Sequence, residues 1–375
     1  MKFIIVHKFF FYVSTLTVIF PYFQFIDGYR GVQPYVTGIF LIIFLFISVQ
    51  KVKTTKPYFI FLIPIIFLIL NYLNNGEINY LFYRNFFSYL TFSLIFFVYS
   101  VYLDLFNFPK KIYFYSVIIW FSAALLQVLF GEALFQNLIK QSTTAGRGVS
   151  SLATEPSFFG LQFSLLLTII YIYVKNFKTY LYILFGFFGL ILSASVIAGW
   201  FYMNTYLSTL IYKRQLSLKY ILLALGGIII TFIFLQNMRF GMLLLDIVKL
   251  DLTYLLSEES SSKRLYGAIT PIVLSASNSF LPLIDPIEAI TRFECLYCRN
   301  DYKLASYLGN FIFHFGFIFL FFFFLTLTKL KNLKNFLVFF FLCLFLLFEI
   351  PIAHPLVSIL ILYYYKESRI NLKSR

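Results

Sequence analysis

The sequence predicts an all-α polytopic integral membrane protein with about twelve transmembrane helices. The first observation is composition: 61% of the 375 residues are hydrophobic and only 12% are charged, with a mean hydropathy of +0.87. Soluble domains contain about 25% charged residues. The second observation is that apolar runs recur along the whole chain, and the third is that basic residues cluster in every second segment between these runs.

Most of the apolar runs are long enough for a helix to cross a bilayer, which takes roughly 20 residues with about 17 as the lower limit. The segments 179–212 and 335–365 each hold two short spans joined by a tight turn, so ten or eleven spans remain alternatives to twelve. The candidate spans are 4–23, 35–50, 57–73, 86–103, 112–130, 156–174, 179–193, 195–212, 219–236, 304–327, 335–350 and 352–365.

Basic residues predict the orientation, because loops rich in Lys and Arg stay on the cytoplasmic side. With the N-terminus inside, the inner segments hold 19 of the 30 Lys and Arg residues, and their only acidic residues are Asp104 and Glu367. The sequence therefore predicts that both termini are cytoplasmic. Orientation explains the formal net charge of +15, and no nucleic-acid partner is expected.

Two of the predicted outer loops stand out by length, a medium loop over 131–155 and a large loop over 237–303. The large loop has seven basic and eight acidic residues and three prolines, which favours a folded, helical periplasmic cap on a single membrane domain, 1–375. Within it, Met242–Leu256 has the pattern of a helix on the membrane surface. A second helix is predicted over 261–275.

The three cysteines predict no metal centre. Cys343 lies within an apolar span, where a thiol packs as a small apolar group. Cys295 and Cys298 lie in the large outer loop, and two cysteines without a nearby histidine do not complete a zinc site. A local disulfide in an oxidising compartment is favoured for this pair, and a redox-active pair is the alternative.

The candidate site centres on the stretch from Ala145 to Gly160, a polar and glycine-containing break between apolar runs. Glycines such as Gly148 let the backbone approach a ligand closely. The neighbouring Arg147 has a guanidinium group suited to bidentate phosphate binding.

The second half of this stretch also has a purely structural interpretation. Pro156 suits the first position of a helix, Thr154 before it can provide a cap, and Glu155 complements the helix dipole. A rigid helix start and a functional carboxylate are compatible, so both interpretations stay open.

The run from Arg147 to Gly160, with Glu-Pro-Ser-Phe-Phe-Gly at a loop-to-helix junction, resembles the O-antigen polymerase (Wzy-type) family. The wider group also contains the O-antigen ligases. The serine-rich turn Leu192–Ser195 and the polar stretch Ser306–Asn310 before a helix support the resemblance. The arginine that normally follows the hairpin serine is absent, and His314 lies two turns into its helix, which favours polymerase over ligase.

The resemblance implies that a growing glycan on undecaprenyl pyrophosphate is transferred as a block to another lipid-linked repeat unit, at the periplasmic face of the bacterial inner membrane. It implies no metal and no cofactor. Implied partners are the lipid-linked glycans, the lipid bilayer, a chain-length regulator and a flippase.

This reaction needs cations for the departing pyrophosphate and a base for the acceptor hydroxyl. Arg147 and Arg264 are the candidate cations, and Glu155 is the candidate base or orienting carboxylate. Lys263, Gly148 and His314 are candidate substrate-binding residues.

Two rival functions are a transporter or flippase of lipid-linked oligosaccharides and a non-catalytic assembly factor. A transporter would be expected to have charges along helices and symmetric halves, whereas this chain concentrates its outer charges in one large loop. His354, at a predicted outer turn near Glu349, is interpreted as structural.

Overall fold

The computed structural model shows helices as the only regular secondary structure among the residues that it describes. The described residues are 2–25, 31–50, 52, 54, 56–74, 76–141, 148–174, 177–213, 217–220, 222, 226–227, 269–283, 306–328, 333–347 and 350–373.

Twelve α-helices have bounds within this part of the chain. They are α1 (Lys2–Ile19), α2 (Pro34–Val49), α3 (Leu62–Leu73), α4 (Tyr80–Leu105), α5 (Lys110–Phe130), α6 (Pro156–Tyr173), α7 (Thr179–Ser193), α8 (Val196–Tyr212), α9 (Tyr307–Phe315), α10 (Phe317–Thr328), α11 (Leu333–Phe345) and α12 (Pro355–Lys373). Short 3-10 helices cover Tyr58–Phe61 and Glu132–Phe135, and residues 269–277 of the large loop are also helical.

Three of the described helices, α4, α5 and α6, are long and apolar enough to cross a membrane by themselves. Shorter apolar helices accompany them along the chain. The predicted all-helical, apolar architecture is confirmed at this level. The count of twelve spans and the orientation stay predictions.

The predicted span 304–327 differs from the observed structure, because the helix is interrupted at Gly316. Its axis bends by 119° between the two halves, α9 and α10. Gly316 has a φ of +52°, which favours glycine. In an unbroken helix the N–H of Phe317 would donate to the carbonyl of Phe313. Here Phe317 donates to the Phe280 carbonyl at 2.7 Å, and the Phe313 carbonyl accepts from the N–H of Leu283 at 2.7 Å. The 280–283 segment therefore satisfies two of the backbone groups that the break releases.

Two compact units make up the chain: the first comprises 1–64, 83–198 and 352–375, and the second comprises 65–82 and 199–351. In the first unit α6 is the most buried of the three long helices and packs against α5, α7 and α12. Two of its polar side chains form hydrogen bonds within the unit. Gln162 donates to the Ile19 carbonyl at 2.8 Å, and Thr168 pairs with the Tyr182 hydroxyl at 2.8 Å.

Contacts in the first unit agree with the predicted alternation of its loops. Lys366 and Asp104, both predicted on the inner side, form a salt bridge at 2.5 Å. The N–H of Gln24 donates to the Leu138 carbonyl at 2.9 Å, and both residues belong to predicted outer loops. Residues expected at the same side of the membrane are therefore neighbours.

Gly160 of α6 determines how closely this helix approaches the chain that begins α8. A Cβ atom added at Gly160 would clash with the Cβ of Ala198 and would lie 3.4 Å from Oγ of Ser193. We expect Gly160→Ala to lower the midpoint of thermal unfolding in detergent, because overpacking costs about 1–3 kcal/mol.

Gly38→Ala is the matched control, since Gly38 lies within α2 and an added Cβ there would meet nothing within 4 Å. Helix propensity alone favours alanine over glycine by about 1 kcal/mol, so this variant should keep or raise the midpoint. An unfolding midpoint for Gly160→Ala at or above that of Gly38→Ala would contradict the packing account.

Candidate functional site

The loop 148–155 leads into α6 and holds two of the sequence-predicted site residues, Gly148 and Glu155. Helix α6 begins at Pro156, which occupies the first helical position as predicted, and Glu155 is its N-cap residue. The cap has no side-chain hydrogen bond. The predicted capping role of Thr154 is wrong: its hydroxyl is buried and has no hydrogen-bond partner among the described residues. A side chain at the cap position reaches the free N–H groups of the first helical turn. Thr154 lies one residue before that position.

Gly148 lies directly against the backbone at the end of α7. The N–H of the next residue, Val149, donates to the Leu192 carbonyl at 2.9 Å. A Cβ at Gly148 would clash with backbone atoms of Leu192 and Ser193. This close approach of two backbones accounts for the glycine, and it fixes the start of the loop against the serine-rich turn.

Ser151 turns the chain towards α6 and is held through all three of its polar groups. Its φ of +51° is left-handed, a conformation that costs a non-glycine residue about 1–2 kcal/mol. The Ser151 hydroxyl donates to the Trp120 carbonyl at 2.7 Å, and its N–H donates to Oε1 of Gln127 at 2.6 Å. The Ser151 carbonyl accepts from Nε2 of Gln141 at 2.6 Å. These bonds offset the cost of the left-handed turn.

The two glutamines also bond to each other, and we call Gln127 and Gln141 the glutamine clamp. Nε2 of Gln127 donates to Oε1 of Gln141 at 3.0 Å. Gln141 also donates to the Ala153 carbonyl at 3.3 Å. Gln127 is buried on α5, so the clamp ties the loop before Glu155 to a long helix of the same unit.

Buried and half-buried aromatic rings pack together beside the loop and the first turns of α6. Trp120 stacks on Phe159 and on Phe20, with ring centroids 6.3 Å and 6.2 Å apart. Tyr22 meets Trp120 edge-on at 6.3 Å and lies 6.1 Å from the Phe158 ring. These contacts place Tyr22 at the N-terminal turn of α6. That turn directly follows Glu155 in the sequence.

Tyr22 pairs with His354, the residue that directly precedes α12. The hydroxyl of Tyr22 lies 3.1 Å from Nε2 of His354, and both side chains are fully buried. Nδ1 of His354 is buried without a hydrogen-bond partner among the described residues.

Glu155 is half-buried at the N-cap of α6. The hydroxyl of Ser157 donates to Oε2 of Glu155 at 3.4 Å. Glu155 therefore pairs with Ser157 at the start of α6, whereas Tyr22 pairs with His354.

Tyr22 is the site residue that sequence reasoning missed. It is separated from His354 by 332 positions, and no local pattern connects the two. The predicted span 4–23 included Tyr22, whereas α1 ends at Ile19, and the available signal for this earlier end was Pro21. The sequence predicted a structural role for His354, but it did not predict the contact of His354 with Tyr22.

The other predicted site residues lie elsewhere or outside the described residues. Arg147, Lys263 and Arg264 are outside the described residues, as are Cys295 and Cys298. His314 belongs to the second unit, buried in the last turn of α9, where its ring meets the Phe67 ring edge-on at 5.3 Å. Within the described part of the chain, no group of three or more His, Cys, Asp or Glu residues could hold a metal ion.

Comparisons of this chain with family models, curated proteins and solved structures find no match. The chemistry of the site is therefore argued from its own residues. A carboxylate at a rigid helix start can accept a proton from a substrate hydroxyl. Tyr22 and His354 add a buried, hydrogen-bonded pair in the same unit.

Gln127→Leu tests whether the clamp holds the loop. The variant leaves the buried Ser151 N–H without its acceptor, and an unsatisfied buried donor costs about 1–3 kcal/mol. We expect amide hydrogen exchange in a peptide covering 148–155 to rise roughly tenfold or more, because local opening governs exchange. Gln136→Leu, an exposed glutamine after the 3-10 helix, should leave this exchange unchanged. Equal exchange in the two variants would show that the clamp does not restrain the loop.

Proposed function

We propose that this protein polymerises oligosaccharide repeat units linked to undecaprenyl pyrophosphate, at the periplasmic face of a bacterial inner membrane. The observation that supports this most is the placement of Glu155. It stands at the N-terminus of a buried, apolar helix long enough to cross a membrane, on a loop held by the glutamine clamp. Pre-organised positioning of this kind is what a general base requires. The Arg147–Gly160 run adds the family resemblance.

In the proposed reaction a hydroxyl oxygen of the acceptor sugar attacks the anomeric carbon of the donor glycan. The new glycosidic C–O bond forms as the bond between that carbon and the pyrophosphate oxygen breaks. The leaving lipid pyrophosphate takes the bonding electron pair, and the hydroxyl proton passes to the carboxylate of Glu155. No nucleotide sugar takes part, because the lipid pyrophosphate is itself the activated leaving group.

Cations are needed where negative charge grows on the departing pyrophosphate. We assign this role to Arg147 and Arg264, with Lys263 beside the latter in the sequence. Arg147 directly precedes Gly148, which begins the loop that contains Glu155. This places a base and a pyrophosphate-binding arginine on one short loop. The reaction needs both, because the acceptor hydroxyl loses its proton while the anomeric carbon loses the pyrophosphate.

The proposal includes the predicted membrane topology. About twelve spans with cytoplasmic termini would put 131–155 and 237–303 together on the periplasmic side. The distribution of basic residues supports this orientation. A lipid-linked substrate could then enter sideways from the outer leaflet, with its glycan extending into the periplasm.

Transport of lipid-linked oligosaccharides is the second candidate function, and the break between α9 and α10 is the observation that favours it. Broken helices form the substrate sites of many transporters. In this chain, however, the Phe313 carbonyl and the Phe317 N–H at the break are already bonded to the 280–283 segment. Those groups are occupied by the protein itself, which favours polymerisation over transport.

Glu155→Gln tests the polymerase proposal. The amide keeps the size of the side chain but cannot accept the hydroxyl proton, and general-base catalysis contributes about 10²–10⁴-fold to a rate. We expect polymer formation to fall by about that factor in membranes from cells that lack the native protein and express the variant. The measurement is the length distribution of lipid-linked glycan, normalised to the amount of inserted protein.

Glu77→Gln is the matched control, because Glu77 is an exposed carboxylate outside the proposed site. It should support polymer of normal length and amount. Normal polymer from Glu155→Gln would remove Glu155 from the reaction and with it the main support for the proposal.

A further inference from the structure

We propose that the end of the first unit that holds Lys110 and Lys178 binds an anionic phospholipid. The two lysines contact the lipid phosphate, and an acyl chain lies in the apolar groove between α5 and α7. This end of the unit is opposite to Glu155 along α6 and is predicted to face the cytoplasm. The inference stands apart from the proposed reaction and needs only that the chain spans a membrane.

Stacked aromatic rings bring the first residue of α5 to the last turn of α6. The ring centroids of Phe108 and Tyr173 lie 3.9 Å apart, with 7° between the ring planes. Phe108 lies two residues before Lys110, where α5 begins, and Tyr173 is the last residue of α6. Lys110 therefore lies beside the end of α6 that is farthest from Glu155.

The start of α7 is held at the same end. The hydroxyl of Tyr171, in the last turn of α6, lies 2.9 Å from Oγ1 of Thr179, the first residue of α7. Lys178 is the N-cap residue of α7, and its Nζ lies 5.6 Å from the centroid of the Tyr180 ring. Two exposed lysines from different helices thus share one end of the α5–α7 group, with an exposed tyrosine beside them.

Acidic side chains of the described residues do not neutralise these two lysines. Asp104, an acidic residue of the predicted inner segments, forms its salt bridge with Lys366 at 2.5 Å. Lys366 also donates to the Ser100 carbonyl at 2.8 Å. Within the described ranges Lys110 and Lys178 form no ion pair, although both are exposed. Their positive charge is therefore available to an anion.

An apolar groove runs from these lysines between α5 and α7. The Phe121 ring of α5 meets two rings of α7 edge-on, that of Phe185 at 5.7 Å and that of Phe188 at 6.0 Å. Phe121 follows Lys110 by eleven residues. Because this is about three turns of an α-helix, the two side chains lie nearly in line on α5. Lys110 is therefore on the side of α5 that faces α7, at the head of the groove.

The other wall of the groove is also exposed, and its length suits a lipid. Tyr180, Leu184 and Phe188 are spaced by four and lie on one exposed face of α7. From Lys110 to Phe121 the helix rises about 16 Å, at about 1.5 Å per residue. Half of the hydrocarbon core of a bilayer is about 15 Å thick. The groove therefore matches the length of an acyl chain in one leaflet.

A phospholipid fits this arrangement better than a soluble anion does. Lysine binds phosphate as a point charge, and its stem can lie along apolar surface while the charge reaches the headgroups. Tyrosine is enriched at the same level of the membrane. Basic sites between helices on the cytoplasmic side bind anionic lipid headgroups. A soluble phosphate makes no use of the apolar groove, whereas an anionic lipid matches both its charge and its length.

Quenching of tryptophan fluorescence by brominated lipids measures the affinity at the groove. Phe114→Trp places a reporter one turn from Lys110 on the exposed face of α5. Purified protein in phosphatidylcholine bilayers is titrated with brominated phosphatidylglycerol or brominated phosphatidylcholine, and the signal of the two native tryptophans is subtracted. We expect the anionic lipid to bind at least about fivefold more tightly, because each lysine near the headgroups contributes about that factor.

Lys110→Gln/Lys178→Gln should abolish this preference, and Lys110→Arg/Lys178→Arg should keep it. Lys8→Gln/Lys219→Gln is the matched control, because it removes the same charge from exposed lysines at the predicted inner ends of other spans. Lys8 also lies over a tyrosine ring, with its Nζ 5.9 Å from the centroid of Tyr12. The control should keep the preference for the anionic lipid.

Leu126→Trp reports on the same exposed face farther along α5, and it should show equal affinity for the two lipids. Equal affinity at Phe114→Trp would overturn the inference and leave the lysines to a soluble anion or a protein partner. A preference that survives Lys110→Gln/Lys178→Gln, is lost equally in the control or is as large at Leu126→Trp would overturn it as well. The polymerase proposal is tested separately, through Glu155→Gln.

Discussion

The left-handed turn at Ser151 is the constraint on which the candidate site depends. The free-energy cost of this conformation for a serine must be offset by other interactions, because the backbone is strained and the residue is buried. The N–H, carbonyl and hydroxyl of Ser151 are all bonded, to Gln127, Gln141 and Trp120. Because Gln127 and Trp120 belong to α5, this long helix determines where the loop turns and therefore where α6 begins. The position of Glu155 is a consequence of packing and hydrogen bonding several residues upstream.

The loop that precedes α6 restricts the backbone position of Glu155. The residues near this helix start come from the helices that surround α6. Helix α1 ends just before Tyr22, and α12 begins just after His354, so two helix ends meet beside the start of a third. Tyr22 and His354 are both buried, whereas Glu155 is half-buried. The most exposed of these three groups is therefore the carboxylate at the start of α6.

Local sequence patterns predicted helices such as α6 and α7. They did not predict contacts between residues that are far apart in the sequence. Helix α7 covers the predicted span 179–193, and Pro156 begins α6 as proline chemistry requires. Hydrophobicity did not predict the break at Gly316, because both halves are apolar and the compensating bonds come from 280–283. It did not connect Tyr22 with His354 either, since that contact depends on how α1, α6 and α12 pack. Half of the candidate site was thus predictable, namely the part contained in one continuous stretch.

The central claim is that this chain by itself joins lipid-linked glycans on an outward-facing loop. Its most direct test is reconstitution of the purified protein in liposomes with lipid-linked repeat units and no other enzyme. The account predicts lipid-linked glycans longer than one repeat, with one undecaprenyl pyrophosphate released for each new linkage. Movement of single repeats across the bilayer without new linkages, or no change in the substrate at all, would contradict it.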